Sequence, residues 1–168
     1  MALVCFSHGK ESGPKATKIS ALSRQAEAAG HQTLSVDYRG MDRPSERVEK
    51  LYKSLDAHPA AQGSLVLVGS SMGAFVSLVA SAEIAPVGLF LMAPAVYMPG
   101  YEKVPPPPKN CLTQIYHGWS DEIVPVENAI RYAREHHLEA LLLEDDHRLS
   151  HSMPILERHF AEFLSRLI

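Results

Sequence analysis

Cysteine is scarce in this chain of 168 residues: only Cys5 and Cys111 are present, and no C-x-x-C occurs. Two thiols cannot build a disulfide framework, and the expected reading is two ordinary cysteines in a reducing compartment. No run of about 18 apolar residues exists, which leaves no candidate transmembrane helix. No basic leader precedes a long apolar stretch. The chain enters Ala2-Leu3-Val4-Cys5-Phe6 directly, so no signal peptide is expected and the cytoplasm is the default location. Block charge is missing too. Sixteen basic and nineteen acidic residues leave a net charge of −3, with no basic stripe to attract nucleic acid or an anionic membrane. Neither internal repeats nor a second domain can be discerned, and residues 1–168 read as a single domain, long enough to bury a sizeable core.

What is present is a regular alternation. Short apolar runs at Leu3–His8, Thr33–Asp37, Leu65–Gly69, Val87–Met92, Thr113–His117 and Ala140–Glu144 read as strands. Between them lie helical periodicities. Ile19, Leu22, Ala26 and Ala29 step by three and four, and Gly30 closes that helix. Val48, Leu51, Tyr52 and Leu55 mark a second helix opened by Pro44. Phe75, Leu78, Val79 and Ala82 mark a third. Val126, Ala129, Ile130 and Ala133 mark a fourth, after Pro125. Leu156, Phe160, Phe163, Leu164 and Leu167 mark the last. Strands alternating with helices predict an α/β fold, a three-layer sandwich around a six-stranded, mainly parallel sheet. Residues 93–110 break the rhythm with Pro94, Pro99 and four consecutive prolines, Pro105–Pro108. This stretch suits an SH3-type groove as a polyproline ligand, but a rigid crossover that cannot become helix is the simpler reading.

The most informative segment is Ser64–Ser77, SLVLVGSSMGAFVS. A strand-like run meets Gly69-Ser70-Ser71-Met72-Gly73 and then an apolar-periodic helix. G-x-S-x-G between strand and helix is the nucleophile-elbow pattern, which exposes a serine hydroxyl on a strained turn. The glycines have a steric job, since side chains at 69 and 73 would crowd the adjoining strand and helix. The plain alternative is a strand-to-helix turn with no chemistry.

A serine hydroxyl needs a base, an acid to orient that base, and donors for the developing oxyanion. Asp121, on the turn after the His117-Gly118 strand end, is the acid candidate, with Glu122 a weaker alternative. His147, a few residues past the last strand, is the base candidate. His151 is its rival, lying closer to a helix that Ser150 or Ser152 would cap. His147 and His151 also have the spacing of a metal pair, but no third ligand accompanies them, and no metal or cofactor is expected. His31, His58, His136, His137 and His159 are expected at helix ends or on polar faces. The oxyanion donors are expected to be the backbone N–H groups of Met72, after the nucleophile, and Lys10, in the loop after the first strand. A rate that rises with pH around the ordinary histidine value of about 6.5 is expected for such a base.

Taken together, His8-Gly9, Gly69-x-Ser71-x-Gly73, His117-Gly118-x-x-Asp121 with Val124-Pro125, and Asp146-His147 resemble the α/β-hydrolase family across essentially the whole chain. Asp37-Tyr38-Arg39-Gly40 also resembles a segment common in the family and is read as structural. The order Ser, Asp, His is the family's order. The resemblance is to a small member without a cap, with six strands instead of eight and the Pro-rich loop where a helical cap is usually inserted. It implies a strand order 2-1-3-4-5-6, so that Ser71 and Lys10 meet where the winding reverses. It also implies a carboxylesterase-type serine hydrolase, acting on short-chain acyl esters through an acyl-enzyme. The same machinery serves a thioesterase or protein deacylase. Outside enzymes, the alternative is a non-catalytic binding protein on a hydrolase scaffold, with the Pro-rich loop as partner site.

Overall fold

Each of the six apolar runs becomes a strand, and each helical periodicity a helix. The computed structural model describes every residue except Lys103, within the loop expected over 93–110, and Ile168. The strands are β1 (Leu3–Ser7), β2 (Gln32–Val36), β3 (Leu65–Ser70), β4 (Gly88–Met92), β5 (Leu112–Gly118) and β6 (Glu139–Leu143). The helices are α1 (Thr17–Ala28), α2 (Pro44–Asp56), α3 (Met72–Ile84), α4 (Val126–His136) and α5 (Met153–Leu167), with a 3₁₀ turn at Pro59–Gln62. The strands form one sheet in the order β2-β1-β3-β4-β5-β6. Every neighbouring pair is parallel, where a mainly parallel sheet was expected. Parallel neighbours need a crossover, and the helices supply it.

Two apolar layers sandwich the sheet. On one face α1 and α5 bring Ile19, Leu22, Ala26, Leu156, Phe160 and Phe163 against Val4, Phe6, Val66, Val68 and Phe90. On the other, α2, α3 and α4 bring Leu51, Leu55, Phe75, Leu78, Ala129 and Tyr132 against Leu3, Cys5, Leu67, Leu89 and Ile115. The central strands β1 and β4 are buried throughout, as expected for strands covered on both faces. Helix α3 is buried at every position from Met72 to Ser81. That is why its sequence is apolar nearly all round and not striped.

Two glycines set how closely α3 approaches β1 and β3. A Cβ at Gly73 would overlap the Ser7 carbonyl at the end of β1, and one at Gly69 would lie 2.5 Å from Ala74 Cα. Gly30, by contrast, has φ +85° with open space around it. It is needed for its backbone conformation after α1, as a left-handed residue there requires.

Two local expectations need correction. Ser152 precedes α5, but its hydroxyl donates to Asp145 Oδ2 at 2.8 Å and does not cap the helix. His159 reaches back over the sheet edge to Tyr116, 3.2 Å from ring nitrogen to hydroxyl. His31 does lie at a helix end, its N–H donating to Ala26 O at 3.0 Å past α1, while its Nδ1 accepts the Ala2 N–H.

Gly73 and Gly30 are separable by substitution. Gly73→Ala must push β1 and α3 apart and should lose at least about 3 kcal/mol, the upper range for overpacking a core. Gly30→Ala carries only left-handed strain, about 1–2 kcal/mol. Urea unfolding of both variants checks the order, and equal losses would show that the α3–β1 contact is not tight.

Candidate active site

The end of β3 turns abruptly into α3. Ser71 sits on that turn with φ 55° and ψ −118°, backbone angles that a residue with a side chain adopts only when its surroundings hold it there. They do so through backbone bonds. The Ser71 N–H donates to Met92 O at 2.9 Å, and the Ser71 carbonyl accepts from Ala74, Phe75 and Ala95. The hydroxyl is thereby lifted above the carboxyl ends of the strands, where the sheet's winding reverses between β1 and β3.

Two more loops converge on it. After β5 the chain makes a turn through Trp119 and Ser120 to Asp121. Trp119 N–H donates to Leu143 O and Ser120 N–H to Asp145 O, so this turn is stitched to the loop after β6. Gly118 permits the contact, because a Cβ there would overlap the Asp145 carbonyl. The loop after β6 is itself braced by Asp145, whose Oδ1 accepts the Asp146 N–H and whose Oδ2 accepts the N–H and hydroxyl of Ser152. Leu149, fully buried at φ 55°, anchors its far side. Half-buried His147 projects from this loop.

The three side chains form one hydrogen-bonded line. His147 Nε2 lies 3.0 Å from Ser71 Oγ, and His147 Nδ1 lies 2.7 Å from Asp121 Oδ2. Asp121 is buried. Its Oδ1 accepts the N–H groups of Ile123 and Val124, each at 2.8 Å. Glu122 and His151, the rivals for these positions, are both exposed. Burial pushes the Asp121 carboxyl upward, but hydrogen bonds from His117, His147 and the Val124 N–H outweigh it and hold the group well below the usual carboxylate range. As Asp121 is an anion, the proton on this contact belongs to His147 Nδ1, leaving Nε2 to accept from the Ser71 hydroxyl.

Met72 opens α3 next to Ser71, and Lys10 is exposed in the loop after β1. That loop lies against the serine: a Cβ at Gly9 would be 3.5 Å from Ser71 Cβ. Neither the Met72 nor the Lys10 backbone N–H donates to another group among the described residues, and both are left available to a ligand. No three His, Cys, Asp or Glu side chains among the described residues are grouped to hold a metal ion.

Two buried residues at the site were given no role of their own by the sequence analysis. His117, at the end of β5, puts Nε2 2.9 Å from Val124 O and 3.1 Å from Asp121 Oδ2. It is a second imidazole on the same carboxylate. Arg47 of α2 is fully buried and reaches under the β1 loop to the His8 carbonyl. A signal for Arg47 existed: it falls on the same helix face as Pro44, Val48, Leu51 and Leu55, a position where arginine is out of place unless its charge is used. For His117 the cues were its place in the His117-Gly118-x-x-Asp121 motif and a histidine inside an otherwise apolar strand.

No helix among the described residues is long and apolar enough to cross a membrane. No curated sequence matches the chain. Among solved structures, a Xanthomonas campestris pv. campestris protein assigned to the alpha/beta hydrolase superfamily is 30% identical, with TM-score 0.90 over 99% of this chain and 100% of that one. A serine hydrolase without a lid from Xanthomonas campestris aligns at 19% identity and TM-score 0.81, over 98% of this chain and 81% of that one. The Pyrococcus furiosus esterase Pf2001 aligns at 17% identity and TM-score 0.82, over 99% and 83%. At these lower identities the last two speak for the fold alone. The model of the alpha/beta hydrolase family matches residues 6–167, nearly the whole chain, and the chain belongs to that family.

Proposed function

We propose that the protein is a serine hydrolase that cleaves carboxylic esters through an acyl-enzyme. The observation that carries this reading is the unbroken line Ser71 Oγ, His147 Nε2, His147 Nδ1, Asp121 Oδ2, with links of 3.0 and 2.7 Å. In this reading His147 takes the Ser71 proton as Oγ bonds to the acyl carbon. The carbonyl electrons move onto oxygen, where the Met72 and Lys10 N–H groups receive the charge. When the tetrahedral species collapses, the C–O bond to the leaving group breaks and His147 returns the proton to it. Water then repeats the sequence on the acyl-enzyme. Asp121 orients His147 and stabilises its cation without being protonated.

The crevice supports small substrates. Trp119 and Ile123 stand exposed beside Asp121, no helical insertion among the described residues covers them, and the Pro105–Pro108 run is tied down away from the site. There Tyr132 Oη donates to Pro106 O at 2.5 Å and Lys109 Nζ donates to Ala82 O at 3.2 Å. An acyl chain left in water forgoes about 0.8 kcal/mol per methylene, so an open site gains little from long chains.

Four outcomes follow. Ser71→Ala should abolish labelling by a fluorophosphonate probe and ester turnover, while Ser70→Ala, at the end of β3, keeps most activity. The reverse pattern would place the nucleophile at 70, and an unlabelled wild type would favour a binding protein. His147→Gln should lose several orders of magnitude in kcat/KM and His151→Gln little, and retained activity in His147→Gln would sink the mechanism. Monomeric p-nitrophenyl esters should be cleaved with falling kcat/KM beyond short acyl chains; a clear rise with chain length would reveal an acyl-binding wall that this crevice does not display.

The fourth outcome concerns acid. The Asp121 carboxyl is depressed in the folded state, so its contribution to stability is present above the unfolded value of about 3.9 and is lost as pH falls below it. Asp121→Asn lacks that titration. The stability gap between wild type and Asp121→Asn, measured by denaturant unfolding, should therefore shrink from pH 7 to pH 3. A gap that is constant with pH would show that the carboxylate is not held preferentially as the anion.

A further inference from the structure

Arg47 is among the largest fully buried side chains of the described residues, and among those residues no carboxylate pairs with it. Burying a guanidinium is costly unless its donors are used. Here they are used on backbone carbonyls: Nε donates to Met41 O at 2.8 Å, Nη1 to His8 O at 2.7 Å and Nη2 to Gly9 O at 3.4 Å. Its Cζ also lies 5.2 Å from the Tyr38 ring centre. Two of the three carbonyls belong to the short loop that follows β1 and lies against Ser71.

His8 bonds the same loop from the other side. The Tyr38 N–H donates to His8 Nε2 at 2.9 Å, which makes Nε2 the acceptor and leaves the ring proton on Nδ1. That proton is donated to Gly9 O at 2.7 Å. Burial, with the neighbouring Arg47 charge, disfavours the imidazolium, in keeping with a neutral ring that both accepts and donates.

The Gly9 carbonyl thus receives two donors from the protein interior. A peptide unit is planar and trans, with its C=O and N–H on opposite sides. Fixing the Gly9 oxygen inward fixes the next N–H, that of Lys10, outward on the side of the crevice. We infer that Arg47 is a positioning residue for oxyanion stabilisation: with His8 it locks the Gly9–Lys10 peptide so that the Lys10 N–H is preorganised for the charge developing on the substrate carbonyl. This rests on the hydrolase reading above. Preorganisation of this kind matters because a donor that must first rotate into place gives back part of its electrostatic gain. It also accounts for an arginine on the apolar face of α2, where Leu or Met would fill the space without a desolvated charge.

The test compares a carbonyl with a thiocarbonyl. Sulfur is a poor hydrogen-bond acceptor, so p-nitrophenyl acetate should depend on the oxyanion donors far more than O-(p-nitrophenyl) thionoacetate. Arg47→Met should lower kcat for the oxygen ester by about 10- to 100-fold, approaching the loss seen when one oxyanion donor is removed. KM should change little, and the thionoester rate should fall much less, so the oxygen-to-sulfur rate ratio drops about tenfold or more. Arg47→Lys keeps the charge and one donor arm and should fall between. The ratio does not depend on how much of the sample is folded, and where Arg47→Met does not fold the Arg47→Lys ratio decides. Equal losses on both esters, or an unchanged ratio in the folded variants, overturn the inference and leave the hydrolase reading standing. A wild-type protein that cleaves neither ester and is not labelled at Ser71 overturns both.

Discussion

The contact between the first turn of α3 and the end of β1 sets the terms for everything else at this site. Gly73 lies against the Ser7 carbonyl so closely that no side chain fits between them. That approach lets Ser71 turn from strand to helix at φ 55°. It also brings the loop after β1 within van der Waals reach of the serine, as Gly9 shows. If the two backbones were a few tenths of an ångström further apart, the hydroxyl and the β1 loop would no longer share one pocket of space. The strain in Ser71 is sustained by ordinary means: its N–H and C=O are bonded to β4 and to the residues just after it, and the apolar layers on either side leave no room to relax.

Asp121 is the second fixed point, and its role is electrostatic as well as mechanical. One carboxylate gathers the His117 ring, the His147 ring and the N–H groups of Ile123 and Val124. These bonds outweigh burial and keep the group ionised. The same anion ties the β5 turn to the β6 loop, which Trp119 and Ser120 reinforce through their N–H groups. The position of His147 is therefore decided by bonds from elements distant in sequence, while Ser71 is decided locally by its own turn.

That division explains what the sequence could and could not tell. The fold was legible because short apolar runs alternated with segments of helical period, and some helices carried a start signal. Pro44 and Pro125 stand where α2 and α4 begin, and the parallel order followed from alternation with the family resemblance. Ser71 was legible because its geometry is written within five residues. Asp121 and His147 could be proposed only from order along the chain. Their alignment depends on Asp145 bracing one loop and Gly118 making room for the other, and neither role has a local pattern. His117 and Arg47 were given no role of their own for a related reason: each sits in an apolar element, and pattern reading treats a polar residue there as an exception. Ser152 was misread because a serine before a helix suggests a cap, whereas a buried carboxylate nearby claimed its hydroxyl.

Those exceptions are concentrated at one end of the molecule. Ser7, His8, Arg47, His117, Asp121, Asp145 and Ser152 are all buried, and all lie at or beneath the carboxyl ends of the strands. The opposite end and both helical layers are mostly aliphatic and aromatic, with, among the described residues, only the small hydroxyls of Ser77, Ser81 and Thr113 buried there. A fold selected for stability alone has no reason to desolvate a guanidinium and a carboxylate under the same rim, because apolar replacements of similar volume are commonly as stable or more so. What a polar rim supplies is direction. Each of these groups holds a carbonyl, an N–H or a ring nitrogen at a set angle, and apolar packing cannot specify such angles. The hydrophobic layers then bear the cost of the rim, and their tight packing passes its geometry to the three loops that meet at Ser71.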